Sequence, residues 1–423
     1  MALNAATTWE VRTTGADTNG GGYYIRDAVN GIDYTQQDAA QLSLSDGYFT
    51  SGTTFISDTG GFTHAMEGNL INIASGTHFT AGFYEIVTYT DSNTVVLDRA
   101  PASEDTSAHK DAVFKVGGAL LTISKATNNS AASNIVYVQS GTYAEQITFV
   151  VSTLKIIGYI TNRTTTPFGT DRPYINGSSA RSYCFTDNGS TSGFNLYHLR
   201  CANATSHGIY VQGNNAWGTL VNIKSSNNGG SGIAVQDYGV GECAFVSLLN
   251  IECNNNTNYG IANGDRGLAW DCDYGSYYHD NGWGGAVTGR SNNAFCCIYE
   301  SNTGHGYNAA WGYGSTSVKF CIAYNNTGSN VDGFTQSGGT CNNNCALANA
   351  RYGFTANTTA QSYTAFNFNC YHDNGGATEI NGWTAGPNDI GDQDPLFTDA
   401  ANGDFSYQAG SPALDAGVNN LVF

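Results

Sequence analysis

Charged residues are scarce in this chain, and basic ones are the scarcest. Only 12% of the 423 residues are Asp, Glu, Lys or Arg, which is about half of the usual share. The 16 basic residues are outnumbered by 34 acidic ones, so the formal net charge is −18. A surface this acidic repels nucleic acid and anionic membranes, and we exclude both as partners.

Long apolar runs and proline are also lacking. No run of ~18 apolar residues occurs, so no helix is predicted to span a bilayer. The segment Met1 to Glu10 has neither the basic region nor the apolar region of a secretory signal. We therefore expect synthesis in a cytoplasm without export by that route. The 6 prolines and 53 glycines favour a turn-rich, hydrogen-bonded all-β chain.

The cysteines lack the paired spacing that is typical of metal ligands. There are 11 of them, an odd number, with no Cys-x-x-Cys pair. We predict reduced thiols that point into the core, and no metal site. Most fall singly in strand-like segments, namely Cys184, Cys201, Cys253, Cys272, Cys297, Cys321, Cys345 and Cys370.

A short unit recurs between residues 204 and 376, and we call it the Asn–Gly repeat. It consists of an apolar strand, then Asn, three residues, and Gly followed by an apolar or aromatic residue. Its glycines are separated by 24, 28, 25, 21, 27 and 20 residues; they are Gly208, Gly232, Gly260, Gly285, Gly306, Gly333 and Gly353. Steps of this size with β-type segments predict a β-solenoid, since propeller blades need ~40–45 residues.

Stacking of like residues explains why these types recur. Each coil lies ~4.8 Å above the previous one, so a corner residue is needed in every coil. We predict that Asn takes the left-handed conformation and forms an amide ladder, and that Gly supplies positive φ. The residues after Gly should point inward as a column; they are Ile209, Ile233, Ile261, Phe334 and Phe354.

The chain divides at residue 117 in this interpretation. Residues 1–117 lack the repeat, and strand signals at 83–89 and 94–97 predict a small, mostly β N-terminal module for attachment or capping. Residues 118–423 form the solenoid, with a short amphipathic helix at 119–126 over its first coil. Proline residues Pro395 and Pro412 mark a closing segment, because proline cannot donate to a strand ladder.

Motifs at both ends of this region resemble a known family. The helix is followed by Val-Tyr-Val at 136–138, Gly-Thr-Tyr-Ala-Glu at 141–145 and Leu-Lys-Ile-Ile-Gly at 154–158, and the chain closes with Gly-Ser-Pro-Ala-Leu-Asp-Ala-Gly at 410–417. This order resembles the right-handed parallel β-helix of the pectate-lyase-like superfamily. The resemblance implies a fold that hosts many activities.

The opening Met1 to Tyr24 is similar to β-helix proteins from tailed-phage and environmental viral genomes. That similarity implies a structural virion-surface protein, a decoration spike or tailspike-like fibre, made in the host cytoplasm. It also implies a homotrimer bound to other virion proteins through residues 1–117, with host or environmental glycans as ligands.

Two other functions stay open. One is an extracellular polysaccharide hydrolase or lyase, with candidate catalytic residues Asp271, Asp273, Asp280 and Arg290. Hydrolysis needs two carboxylates; we predict Asp271 and Asp273 on one exposed face, opposite an inward Cys272, with Asp280 and Glu300 approaching from adjacent coils. Elimination would use Arg290 or Arg266 as the base, with calcium as the one possible cofactor. The Arg-x-Pro-x-x-Arg pattern of pectate lyases is absent, however.

The other function is a bacterial adhesin or filament subunit. The missing secretory signal counts against this function.

Aromatic residues crowd into the same coils. Exposed rings beside Asp and Asn suit sugars, because the ring face meets C–H groups while polar groups bind hydroxyls. The glycan-binding candidates are Trp270, Tyr277, Tyr278, Trp283 and Trp311. The alternative is that these rings pack in the core or form ladders between adjacent strands.

Overall fold

The computed structural model describes most of the chain and shows an almost entirely β protein. The described residues are 3–26, 31–167, 169–187, 193–212, 217–236, 245–263, 269–287, 293–309, 316–356 and 363–414. Residue contacts divide the chain into two units, Met1–Tyr174 and Ile175–Phe423. No helix in the described ranges is long and apolar enough to cross a membrane.

The first unit contains an antiparallel barrel. Six strands close it in the spatial order first, second, fifth, fourth, third and sixth along the chain. Their bounds are Leu42–Phe49, Thr54–Ser57, Leu70–Ser75, Gly82–Asp91, Thr94–Leu97 and Ala112–Val116. Phe55, Phe62 and Phe114 fill its core, and Phe55 meets Phe114 edge-on at 5.0 Å between ring centroids. The strands expected near 83–89 and 94–97 are confirmed.

Parallel strands make up the rest of this unit. Thr8–Val11 pairs in parallel with Ile135–Gln139, which pairs in parallel with Leu154–Tyr159. Part of the predicted 1–117 module therefore pairs with strands beyond residue 117, and the boundary at 117 stays a prediction. The remaining strands are Gly22–Tyr23, Thr142–Tyr143, Ile147–Phe149 and, at the boundary of the two units, Tyr174–Asn176. Short 3₁₀ turns are Tyr34–Gln36, His64–Met66, Gly169–Asp171 and, in the second unit, Ala400–Asn402.

The one α-helix of the described chain, α1, spans Ile123–Asn129 rather than 119–126. It begins later than expected because Leu120 forms an isolated parallel β-bridge with Val11. Thr122 is the N-cap and accepts from the Lys125 amide at 3.2 Å. The Glu145 carboxylate accepts from the first two amides of the helix, at 2.8 and 2.9 Å, a favourable place for a negative charge.

The second unit is a parallel β-solenoid with three strands per coil, and the predicted β-helix fold is confirmed by their pairing. We name the faces sheet 1, sheet 2 and sheet 3. The long strands Trp217–Ser226 and Phe245–Asn254 each contribute to sheets 1 and 2, bending at Asn222 and Asn250, where φ is 54° and 55°.

The other strand bounds follow the same order in each coil. Sheet 1 also contains Phe194–Tyr197, Ala269–Tyr274, Asn293–Phe295, Thr316–Lys319, Gly339–Asn342 and Tyr363–Asn367. Sheet 2 also contains Arg200–Ala202, Tyr277–His279, Ile298–Glu300, Ile322–Tyr324, Cys345–Leu347, Cys370–His372 and Ile390–Gly391. Sheet 3 consists of Phe185–Asp187, Ile209–Gln212, Ile233–Gln236, Tyr259–Asn263, Gly284–Val287, His305–Ala309, Phe334–Gln336, Phe354–Ala356 and Ile380–Asn381.

Residues in register form the predicted inward column of sheet 3. Ile209 pairs with Ile233, and Ile233 with Ile261; further on, Phe334 pairs with Phe354. All five are buried, and the two phenylalanine rings stack at 5.1 Å. This column is confirmed.

An asparagine ladder runs inside the corner between sheets 2 and 3. The side-chain NH₂ group of one asparagine donates to the side-chain oxygen of the asparagine in the next coil, at 2.8 to 3.0 Å. The members are Asn228, Asn256, Asn281, Asn302, Asn326, Asn349 and Asn374. The predicted ladder is confirmed. The ladder asparagines do not themselves have the predicted left-handed conformation, which belongs to the residue before each of them, as at Asn227, Asn255 and Asn325.

The repeat glycines have a different role from the predicted one. Positive φ is absent from all seven, so the expectation of a left-handed glycine was wrong. Close approach explains them, because a Cβ on Gly232 would lie 2.7 Å from the carbonyl oxygen of Gly260, and one on Gly260 would lie 2.7 Å from that of Gly285. Only glycine lets the coils stack this tightly at the corner.

The closing segment is an antiparallel hairpin, Phe397–Asp399 with Asp404–Tyr407. We call it the C-terminal hairpin. Phe397 and Phe405 pack on Ile322, Cys345 and Cys370 in the last coils. These two cysteines therefore point outward from sheet 2 and are buried by the hairpin, whereas Cys253 and Cys297 point inward. All ten cysteines of the described chain are free.

Candidate functional site

Polar side chains that range from buried Glu300 to exposed Asp280 gather on the outward face of sheet 2, before the part that the hairpin covers. We call them the sheet 2 cluster: Lys224, Glu252, Tyr277, His279, Asp280 and Glu300. Parallel register places them together, since Lys224 pairs with Glu252, Glu252 with Tyr277, and His279 with Glu300. Side chains two residues apart on a strand share its face, and Asp280 begins the corner with φ 55°.

Ion pairs and hydrogen bonds connect the cluster. The Lys224 ammonium contacts the Glu252 carboxylate, and His279 Nε2 lies 3.6 Å from that carboxylate. His279 Nδ1 is 2.8 Å from the Asp280 carboxylate. The Tyr277 ring stacks on His279 at 4.2 Å between centroids, and its hydroxyl donates to Glu300.

The two glutamates have oppositely shifted pKa values. Burial alone would raise the pKa of Glu252, but His279 and Lys224 outweigh it and lower that pKa to about 2. Burial raises the pKa of Glu300, with the hydrogen bond from Tyr277 opposing the shift. Burial lowers the pKa of His279, yet the carboxylates of Glu252 and Asp280 raise it overall. The cluster thus holds one firmly ionised carboxylate and one with a raised proton affinity, the arrangement of acid–base pairs.

Aromatic and hairpin residues lie at the edges of this surface. Trp283, on the same corner as Asp280, is 59% exposed and meets the Tyr259 ring edge-on at 5.7 Å. On the other side, the hairpin turn at Gly403 lies beside Tyr277. A Cβ added to Gly403 would be 3.6 Å from the Tyr277 hydroxyl.

Four of the residues named from the sequence are in or beside this surface. Asp280, Glu300 and Tyr277 belong to the sheet 2 cluster, and Trp283 is exposed near it. The prediction that Tyr278 binds glycan was wrong. Its side chain is fully buried and stacks on Tyr299 inside the solenoid, with 5.6 Å between ring centroids. No glycan on the surface can reach it.

Asp273 is the second correction. Its side chain points inward and is 6% exposed, while Cys272 on the neighbouring position is half-buried on the outer side. Ser276 Oγ and the Tyr278 hydroxyl donate to its carboxylate at 2.5 and 2.9 Å. The predicted facing of Cys272 and Asp273 was wrong because one extra residue between Ala269 and Cys272 shifts the register of this strand against the preceding one.

Other predicted site residues fall outside the described part of the chain. Arg290 and Trp311 do, as does Arg266, and so do the side chains of Asp271 and Trp270. Their assignments stay predictions. Within the described ranges, no group of three or more His, Cys, Asp and Glu side chains is arranged to hold a metal ion.

Sequence reasoning missed Lys224 and Glu252 as site residues. A signal was present, because Lys224, Glu252 and Tyr277 each lie four residues before a ladder asparagine, and His279 and Glu300 lie two before one. Aligning the coils on the ladder would have brought them to one face.

Comparisons with known proteins find similarity only among solved structures. No protein-family model matches the chain, and no curated protein matches it. Among solved structures, a crystal structure of the pectate lyase Pel9A matches with a TM-score of 0.49 and 14% sequence identity, over 72% of this chain and 88% of that one. The parallel β-solenoid of this chain rests on the strand pairing described above.

Proposed function

We propose that this chain is a glycan-binding β-solenoid of a tailed-phage virion surface, a decoration spike or tailspike-like fibre, and that the sheet 2 cluster binds the glycan. The observation that carries the binding site is the half-buried Tyr277 ring with the carboxylates of Glu252, Asp280 and Glu300 around it. The place on a phage particle, and attachment through residues 1–117, rest on the resemblance of the opening residues.

The chemistry of the cluster favours a neutral or amino sugar. Tyrosine and tryptophan rings present faces to sugar C–H groups, and carboxylates accept from hydroxyls or ammonium groups. The cluster has one lysine, Lys224, and three carboxylates, so an acidic polysaccharide would meet repulsion. Because paired strands hold these side chains, little conformational entropy is lost on binding.

We expect Trp283→Ala and Tyr277→Ala each to weaken glycan binding about tenfold or more, the effect of losing ~1.4 kcal/mol of contact. A glycan array followed by calorimetry with the best ligand would measure this. Tyr277→Phe keeps the ring but loses the bond to Glu300, so it separates stacking from carboxylate positioning.

Ile25→Ala is the matched control, since Ile25 is 61% exposed in the other unit. Its binding should equal that of the unsubstituted chain. Failure of the chain to bind any glycan, or an equal loss in the control, would overturn the proposed site.

Glycan cleavage is a second candidate function, favoured by the opposite pKa shifts of Glu252 and Glu300. Glu300 would donate the proton to the leaving oxygen, and Glu252 would act as the ionised partner. We expect Glu300→Gln to reduce release of reducing ends at least 100-fold while leaving binding in place. If the unsubstituted chain binds a glycan and releases no sugar from it, binding stands and cleavage falls.

A further inference from the structure

A continuous row of apolar side chains runs along the outward face of sheet 1. Register pairs Tyr197 with Val221, Val221 with Leu249, Leu249 with Tyr274, and Tyr274 with Phe295. We call these five residues the sheet 1 stripe. They extend over four strand spacings, or about 19 Å, along the direction in which the coils stack.

The centre of the stripe is open to solvent. Leu249 is 45% exposed and Tyr274 is 50% exposed, and they are register neighbours. Large apolar side chains exposed singly are ordinary, but an adjacent pair continued by half-buried neighbours on both sides is a contiguous patch. The C-terminal hairpin packs on sheet 2 residues such as Ile322, and none of the five stripe residues belongs to that cluster.

The surroundings of the stripe have no carboxylate among the described side chains. The next outward column consists of short residues, with Asn195, Thr219, Ser247 and Cys272 in register. After Phe295 the stripe continues as Lys319 and Asn342. Among the outward positions of sheet 1 whose side chains are described, none is Asp or Glu. The outward face of sheet 2, by contrast, has Glu252 and Glu300.

We propose that a second copy of this chain docks on the outward face of sheet 1, with the two stripes in contact. In a chain of net charge −18, two copies repel each other wherever carboxylates meet. The face without described carboxylates is therefore where self-association costs least, and it is also where apolar surface is exposed.

The stripe is able to meet its equivalent in two symmetric ways. A twofold axis along the stacking direction brings each residue to the height of its equivalent, and it also sets Lys319 against Lys319. A twofold axis perpendicular to that direction through Leu249 sets Val221 against Tyr274. Leu249 meets Leu249 in both, which is the self-complementary contact of a closed twofold assembly.

The available area is sufficient for a specific contact. Eight strands contribute to sheet 1. Eight spacings by four residues give roughly 38 by 13 Å, or about 500 Å² of flat face on each copy. Two faces together reach about 1,000 Å², the lower end for specific interfaces. The contact does not depend on glycan binding.

Native mass by light scattering or sedimentation tests the proposal. We expect an oligomer for the unsubstituted chain, and a two- or threefold fall in mass for Leu249→Glu and for Leu249→Lys, each measured alone. When the two variants are mixed, opposite charges face each other at position 249 and the oligomeric mass should return. Such rescue requires like-to-like contact, which a merely misfolded variant would not show.

Val150→Glu is the control, because Val150 is 41% exposed in the other unit and the substitution adds the same charge. It should leave the mass unchanged. A monomeric unsubstituted chain at all concentrations, or an oligomer that both Leu249 variants leave intact, would overturn the proposal. Loss of mass without rescue in the mixture would show that Leu249 does not meet its equivalent, which would overturn contact between the two stripes.

Discussion

Replacing Asn326 with alanine should lower the free energy of unfolding by roughly 3–6 kcal/mol, because two or more buried polar groups lose their partners at ~1–3 kcal/mol each. Its side chain is fully buried. The oxygen accepts from the Asn302 backbone amide at 3.1 Å and from the Asn302 side chain at 2.9 Å. Its amide donates to the Tyr299 carbonyl at 2.9 Å and to Asn349 at 2.8 Å.

The neighbouring residue is the control for this prediction. Asn325 has φ 52° and an exposed side-chain bond to Ser301, so Asn325→Gly keeps the conformation that the corner requires. Denaturant unfolding followed by circular dichroism would compare the two. We expect a change within about 1 kcal/mol for Asn325→Gly. A similarly small change for Asn326→Ala would mean that the ladder is not a main source of stability.

Residues that recur once per coil are those that the sequence predicted well. The ladder asparagines and the column Ile209, Ile233 and Ile261 are in step with the coil, so a corner or core role follows from their spacing alone. Packing of this kind is local and repeats, which makes it visible in a single sequence.

Features that depend on one coil or on the chain end were not predictable in the same way. A single extra residue reverses the facing of Cys272 and Asp273, because alternation has a period of two. The outward burial of Cys345 depends on a hairpin that returns from some 50 residues later. Repeat spacing signals a glycine requirement but does not distinguish positive φ from lack of space for Cβ.

Asp273 is the residue whose interior position has the largest consequence for pH dependence. In the inward column of sheet 1 it takes the place that Leu220 and Leu248 have in the coils before it, and Ala294 in the coil after. Burial raises its pKa to about 6 from 3.8, with the hydrogen bonds from Ser276 and Tyr278 opposing the rise. The folded state therefore holds the proton more tightly than the unfolded state does.

Because the pKa is raised, the contribution of Asp273 to stability is complete below pH ~3.8 and is lost as the pH rises through about 6. Two units of pKa correspond to about 3 kcal/mol. We expect Asp273→Asn to gain up to about 3 kcal/mol above pH 6 and almost nothing at pH 4. The amide suits the site, since its oxygen can accept from Ser276 while its nitrogen donates to the Tyr278 hydroxyl.

Denaturant unfolding of both proteins from pH 4 to pH 8 would test this, with the difference between them as the readout. Asp392→Asn is the control, because the Asp392 side chain is 89% exposed and its removal changes the net charge equally. A difference that stays constant with pH, or a destabilised Asp273→Asn at pH 8, would contradict the prediction and show that the ionised carboxylate is stabilised in the core. The expected outcome instead makes Asp273 a carboxyl that the solenoid keeps inside at a cost to its stability near neutral pH.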